Sequence, residues 1–152
     1  MSIDVYTSKD TIEIDGNLVN DCANGKVFEA RFPNDISTTT KGKGGNTIIT
    51  YNAEGDVCEA TLRVLLGGKT DQYLLQKINQ FKNDSASYVA IKVKTVKRIG
   101  DGTGATKKII SDLQGGVVAK HPDIEEDVSG DVEQAVAVYV IRFANAVKTI
   151  SW

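Results

Sequence analysis

Proline is nearly absent from this chain: Pro33 and Pro122 are the only two in 152 residues. Proline cannot donate to a strand ladder, so a chain this poor in it is free to form long strands. Cysteine is equally scarce. Cys22 and Cys58 are too few for a disulfide scaffold, and both are expected to be reduced thiols. His121 is the sole histidine and Trp152 the sole tryptophan. A Ser-His-Asp or Cys-His centre would have to use His121, which precedes Pro122 at an expected strand end, and neither cysteine carries a motif. A zinc site would need ligands beyond one His and two Cys, and no Cys-x-x-Cys occurs. An excess of one charge is also missing. Eighteen Lys and Arg against 20 Asp and Glu leave a net charge of −2, which gives no general attraction to nucleic acid or membrane. No apolar run approaches the roughly 20 residues that span a bilayer. The opening "MSIDVYTSKD" lacks the basic start and apolar stretch of a secretory signal.

What is present is β-forming sequence with a core. Hydrophobic residues make up 41% of the chain and charged residues 25%, a globular composition of a length suited to one domain, 1–152. "DTIEID" alternates Ile12 and Ile14 with polar residues, a period of two. In "GKVFEARF", Phe28, Ala30 and Phe32 share one face, and Pro33 stops the strand. "NTIITYN" and "DVCEATLRVLL" flank "NAEGD", which reads as a hairpin turn. In the second of these runs Cys58, Ala60, Leu62 and Val64 face one way, and Glu59, Thr61 and Arg63 the other.

"GGKTDQYLLQKINQFKND" changes period. Leu74, Leu75, Ile78 and Phe81 form one helical stripe, with Thr70 as N-cap, Asp71 at the positive end, and a stop near Asn83. Alternation then returns in "SYVAIKVKTVKRIG", with Val89, Ile91 and Val93 on one face and Lys92 and Lys94 on the other. "GDGTGATKKIISDLQGG" reads as a glycine-rich connection, and "DIEEDVSGD" (123–131) as an acidic loop. "QAVAVYVIRFANAV" is apolar on both faces and predicts a strand buried from both sides. "KTISW" reads as a final strand. The expected class is mainly β: an antiparallel sandwich or barrel-like domain with one packed helix.

Chemistry-bearing motifs are few. "STTTKGKGGN" and "GDGTGATKK" both lack Walker A spacing, and a strand rather than a helix follows the first. Asp123, Glu125 and Asp127 match the alternating ligands of a calcium loop, but Val128 stands where that loop needs glycine. Together with Glu126 they read more simply as a solvated acidic surface. Lys92, Lys94, Lys97 and Arg98 have no aromatic platform beside them, and read as the wet face of a strand or a charge ladder. No cofactor, no metal and no enzymatic activity is expected. Long strands do leave edges, which an oligomer can pair into a closed ring.

The order strand, Thr/Lys/Gly loop, strand, acidic-glycine turn, strand, amphipathic helix in "VFEARFPNDISTTTKGKGGNTIITYNAEGDVCEATLRVLLGGKTDQYLLQKINQF" resembles the tail tube proteins of contractile-tailed bacteriophages. The resemblance covers about residues 10 to 98 and is densest in "NAEGDVCEATLRVLLGGKTDQYLLQKI". Type VI secretion and contractile bacteriocin tubes share the architecture. It implies hexameric rings whose sheets join into a continuous inner β-barrel and stack into a hollow tube inside a contractile sheath. It implies a virion location, assembly in the host cytoplasm, and partners in the sheath, baseplate and tail terminator proteins. DNA would pass the lumen without specific binding, and no membrane is involved. The family's loop before the central hairpin reaches the next ring. Here that is Ile36, Ser37, Thr38, Thr39, Thr40, Lys41, Gly42, Lys43, Gly44, Gly45 and Asn46. Asp123, Glu125, Glu126 and Asp127 are the candidate complementary acidic surface, by charge sign. The competing reading is a small-ligand or carbohydrate-binding β-sandwich module, which the scarcity of aromatics disfavours.

Overall fold

The computed structural model describes residues 3–6, 11–22, 27–129 and 132–151. Eleven strands and one helix run in the order β1 (Val5–Tyr6), β2 (Thr11–Ile14), β3 (Asn17–Leu18), β4 (Phe28–Arg31), β5 (Ser37–Lys41), β6 (Thr47–Tyr51), β7 (Cys58–Leu65), α1 (Lys69–Asn83), β8 (Ile91–Gly100), β9 (Thr106–Val118), β10 (Asp123–Ser129) and β11 (Val132–Ser151). Every strand pairing is antiparallel. The main sheet has the order β3-β2-β8-β9-β11-β7-β4, with β1 added to β8 and β10 to β11. It is mainly β, as expected, and among the described residues the sheet does not close on itself. β5 and β6 stand apart as a two-stranded sheet of their own.

β11 organises the molecule. One of its edges pairs with β10 through Val132–Val138 and then with β9 through Ile141–Ser151. Its other edge pairs with β7 through Val136–Phe143. Val136, Ala137, Val138 and Tyr139 are all buried, so the strand is covered on both faces here. Arg142 reaches solvent, and past Phe143 both Ala144 and Asn145 do, so two-sided burial ends. "KTISW" does not form a separate strand; its residues up to Ser151 continue β11.

The β7 alternation holds residue by residue. Cys58, Ala60, Leu62 and Val64 are buried, and join Ile14, Leu74, Ile91, Val93, Leu113, Tyr139, Ile141 and Phe143 in one core. Burying each large aliphatic side chain contributes about 1.5–3 kcal/mol. Both cysteines are free. Burial pushes both thiols up, further with Asp21 beside Cys22, which makes them poor nucleophiles.

Several expectations are corrected. "NAEGD" is not the loop of a β6–β7 hairpin. Ala53–Asp56 is a 3₁₀ turn, β6 pairs with β5, and β7 pairs with β4 and β11. "GDGTGATKKIISDLQGG" is mostly strand. Its turn is confined to Asp101–Ala105, where Gly102 and Gly104 take positive φ, and β9 follows from Thr106. The acidic stretch is likewise no loop: Asp123–Ser129 is β10, held by the ladder of β11, while Gly130 and Asp131 lie outside the described residues. Val89 is exposed ahead of β8. On β8, Lys94 stands between Glu13 of β2 and Asp112 of β9, which is a charge ladder.

The helix begins two positions earlier than the Thr70 cap implies. Gly68 is the N-cap and offers no side chain. Asp21 supplies the missing acceptor from outside the helix, taking Thr70 N at 3.1 Å and Thr70 Oγ1 at 2.6 Å. Asp71 in the first turn accepts Gly67 N at 2.8 Å and the Tyr139 hydroxyl. Leu74 is the only fully buried member of the predicted stripe; Leu75 and Phe81 are partly exposed. Asp15 and Gly16, both at positive φ, form the β2–β3 turn. Asp15 then ties three elements together: its carboxylate accepts Lys92 N at 2.8 Å and the Tyr73 hydroxyl.

These phenols give the fold a pH dependence. Burial first, then the Asp71 and Asp15 carboxylates, hold Tyr139 and Tyr73 well above the ordinary phenol value. The folded chain therefore binds these protons more tightly than the unfolded chain does. Their contribution is complete below about pH 10, the unfolded phenol value, and is lost as pH rises past it. Melting temperatures measured across that window are expected to fall steadily, and the fall should be shallower in Tyr139→Phe. A flat profile would contradict the buried phenol–carboxylate pairs.

Candidate functional site

The residues singled out as an arm, Ile36 to Asn46, form half of a hairpin rather than a loop. Ser37, Thr38, Thr39, Thr40 and Lys41 are strand β5, in register with Tyr51, Thr50, Ile49, Ile48 and Thr47 of β6. Threonine is β-branched and suits a strand, and a polar run can pair wherever no core constrains its faces. The tip is Gly42, Lys43, Gly44, Gly45 and Asn46. Gly44 and Gly45 take φ of 95° and 88°, and Gly42 N donates to Asn46 O at 2.6 Å. Positive φ is strained for any side chain with a Cβ, so the glycines belong to the turn geometry.

The root of the hairpin is fixed. Asn52 N donates to Ile36 O at 2.8 Å. The Asn52 side chain donates to Asp35 O at 3.0 Å and accepts Glu54 N at 3.1 Å. The Tyr51 hydroxyl donates to the Asp56 carboxylate, which raises the phenol above its ordinary value. Gly55 packs against the strand entry so closely that a Cβ there would sit 2.4 Å from Ile36 Cα. The 3₁₀ turn is thus the clamp from which the hairpin projects.

Both strands of the hairpin are exposed along their whole length. Ile49 and Tyr51 lie on one face and Ile48 on the other, with 74%, 62% and 53% of their surfaces open; Ile36 at the root is also exposed. The sequence marks "NTIITYN" as a strand with apolar residues, but not that they stay exposed, paired with the polar "STTTK".

The acidic residues are placed differently. Asp123, Glu125, Glu126 and Asp127 lie on β10, an edge strand paired only with β11. Glu125 accepts Arg63 Nη2 at 2.6 Å, and Asp123 lies 3.3 Å from Lys120 Nζ. Exposed pairs of this kind are worth about 0–1 kcal/mol. Ile124 between them is exposed. Lys41 and Lys43 of the hairpin form no ion pair with this strand within one chain, among the described residues.

Other features are weaker. A cavity of about 320 Å³ lies between the β2–β3 turn and the start of α1. It is at the small end of ligand sites, and its one aromatic, Tyr73, already uses its hydroxyl on Asp15. His121 lies on the exposed β9–β10 connection. Among the described residues, no group of three or more His, Cys, Asp or Glu is placed to hold a metal ion, and no helix is long and apolar enough to cross a membrane. No protein-family model matches this chain, and no curated protein matches it significantly.

Proposed function

We propose that the protein is a structural subunit of a contractile phage tail tube. Six copies form a ring in which neighbouring sheets join into an inner β-barrel. Rings stack into a hollow tube that conducts DNA inside a contractile sheath, with the baseplate and tail terminator proteins at its ends. One observation carries the reading: a freestanding two-stranded hairpin with exposed isoleucines and a tyrosine on a rigid root. A lone hairpin is marginal in water and needs a third strand or a packing surface. Its two edges and both faces are open, so a neighbouring chain is the natural completion.

A second feature supports the same reading. Beyond Phe143, β11 keeps β9 on one edge but has no strand on the other among the described residues. A run of open backbone donors and acceptors this long invites pairing. Joined to a copy of the same sheet, it would extend the barrel from chain to chain. In the stacked assembly Ile36 to Asn46, with β6, is the contact to the next ring, and the acidic β10 is the candidate surface for Lys41 and Lys43.

Negative-stain microscopy and size-exclusion chromatography of the purified protein test this directly. Rings or rods of stacked rings are expected. A monomer at every concentration and ionic strength would overturn the proposal.

A further inference from the structure

A second surface is independent of the hairpin. The C-terminal half of α1 and the β9–β10 connection enclose a cleft of about 190 Å³. That volume equals roughly six waters at ~30 Å³ each, room for one large side chain. Its floor is apolar. The Phe81 and Tyr88 rings meet edge to face, 5.4 Å between centroids, and Val118 lies across from them. The Tyr88 hydroxyl donates to Gly116 O at 2.8 Å, which fixes the ring. The rim is cationic: Lys77, Lys82, Lys120 and the imidazole of His121 line it, and no carboxylate does.

We propose that this cleft docks an acidic segment of a partner protein, with an aromatic or long aliphatic side chain seated on Phe81 and Tyr88 and flanking carboxylates on the lysines. Charge complementarity selects that occupant. A chain of net charge −2 has little general pull on a polyanion, yet it gathers three lysines around one apolar hollow. Lys77 donates to Val89 O at 3.1 Å, and its ammonium lies 5.7 Å from the Tyr73 and Tyr88 ring centroids, which holds its charge at the rim. Among the described residues Lys120 is held by the exposed Asp123, a pairing easily exchanged for an incoming carboxylate. The chain's own acidic strand is a poor occupant. It leaves the rim directly at Asp123, and Glu125 is already spent on Arg63.

The probe is a fluorescein-labelled peptide, Glu-Asp-Phe-Glu-Asp, followed by anisotropy against the purified protein. A benzophenone replaces the Phe ring for photo-crosslinking. Saturable, salt-sensitive binding is expected, with crosslinks in residues 77–88 or 117–121. The Gln-Asn-Phe-Gln-Asn peptide should bind about tenfold more weakly, as should the acidic peptide to the K82E/K120E variant, whose exposed substitutions leave the fold intact. Phe81→Ala should weaken binding without changing its salt dependence. No saturation at millimolar peptide, equal binding of the neutral peptide, or crosslinks elsewhere overturns the proposal. So does preferential binding of a poly-thymidine oligonucleotide, which would mark a nucleic-acid surface. The cleft needs no ring, so a failure here leaves the tube reading standing, and the reverse also holds.

Discussion

Replacing residues 38–50 by a two-residue Asn-Gly turn between Ser37 and Tyr51 is expected to abolish stacking while the main sheet folds as before. Among the described residues the hairpin pairs with no other strand, so its loss removes no ladder hydrogen bond from the main sheet. Its root survives, because Asn52, Asp56 and Gly55 lie outside the excised segment. Circular dichroism should keep its β signature, while microscopy should lose rods and retain at most single rings. A milder variant separates packing from shape. Ile49→Thr with Tyr51→Thr keeps β propensity but removes the exposed apolar surface of one face. If rods persist in both variants, the hairpin is not the stacking element, and the tube reading must rest on the open edge of β11 alone.

The largest effect on stability is expected at Asp71. It is 3% exposed and accepts both Gly67 N and the hydroxyl of Tyr139, itself fully buried. Asp71→Ala removes the carboxylate acceptor of Gly67 N and of the buried Tyr139 hydroxyl, which keeps only the Asp71 backbone carbonyl at 3.2 Å, at about 1–3 kcal/mol in all. A loss of about 1–3 kcal/mol lowers the melting temperature by about 2–12 °C for a chain of this size. Asp71→Asn keeps one acceptor oxygen and should lose clearly less. Tyr139→Phe removes the other partner and leaves the carboxylate with Gly67 N, an intermediate case. Calorimetry on the hairpin-truncated protein avoids the added stability of assembly. Equal melting temperatures for Asp71→Ala and the parent would show that water replaces the carboxylate, contrary to the burial seen.

Some of this architecture is written in local pattern. The alternation of Cys58, Ala60, Leu62 and Val64 set the buried face of β7 because one face of a strand meets the core and the other does not. The helix to Asn83 and the two-sided burial at Val136–Tyr139 follow from periodicity in the same way. Asp15-Gly16 also carries a readable hairpin signal, since an Asp-Gly pair accepts the positive φ that a tight turn demands.

Other elements have no local signature. "STTTK" is polar on both faces, so it shows no period, and only its pairing with "TIITY" makes it a strand. "DIEEDVS" is too acidic to announce a strand, and β11 supplies the ladder that makes it one. Gly116 looks like a loop residue in sequence. It lies in β9 because Phe143 fills the space where its side chain would be, 2.6 Å from an added Cβ.

The sequence by itself determined that this is a β-rich chain with one helix, a core face on each main strand and a polar arm that cannot enter the core, because alternation and composition act between near neighbours. Tertiary structure alone decided that the arm is a clamped hairpin with apolar faces, that Asp71 meets Tyr139 across 68 residues, and that lysines from α1 and the β9–β10 connection ring one cleft. Those contacts join segments far apart in the chain. Their energy exists only once the strands between them have paired, and no local pattern carries it.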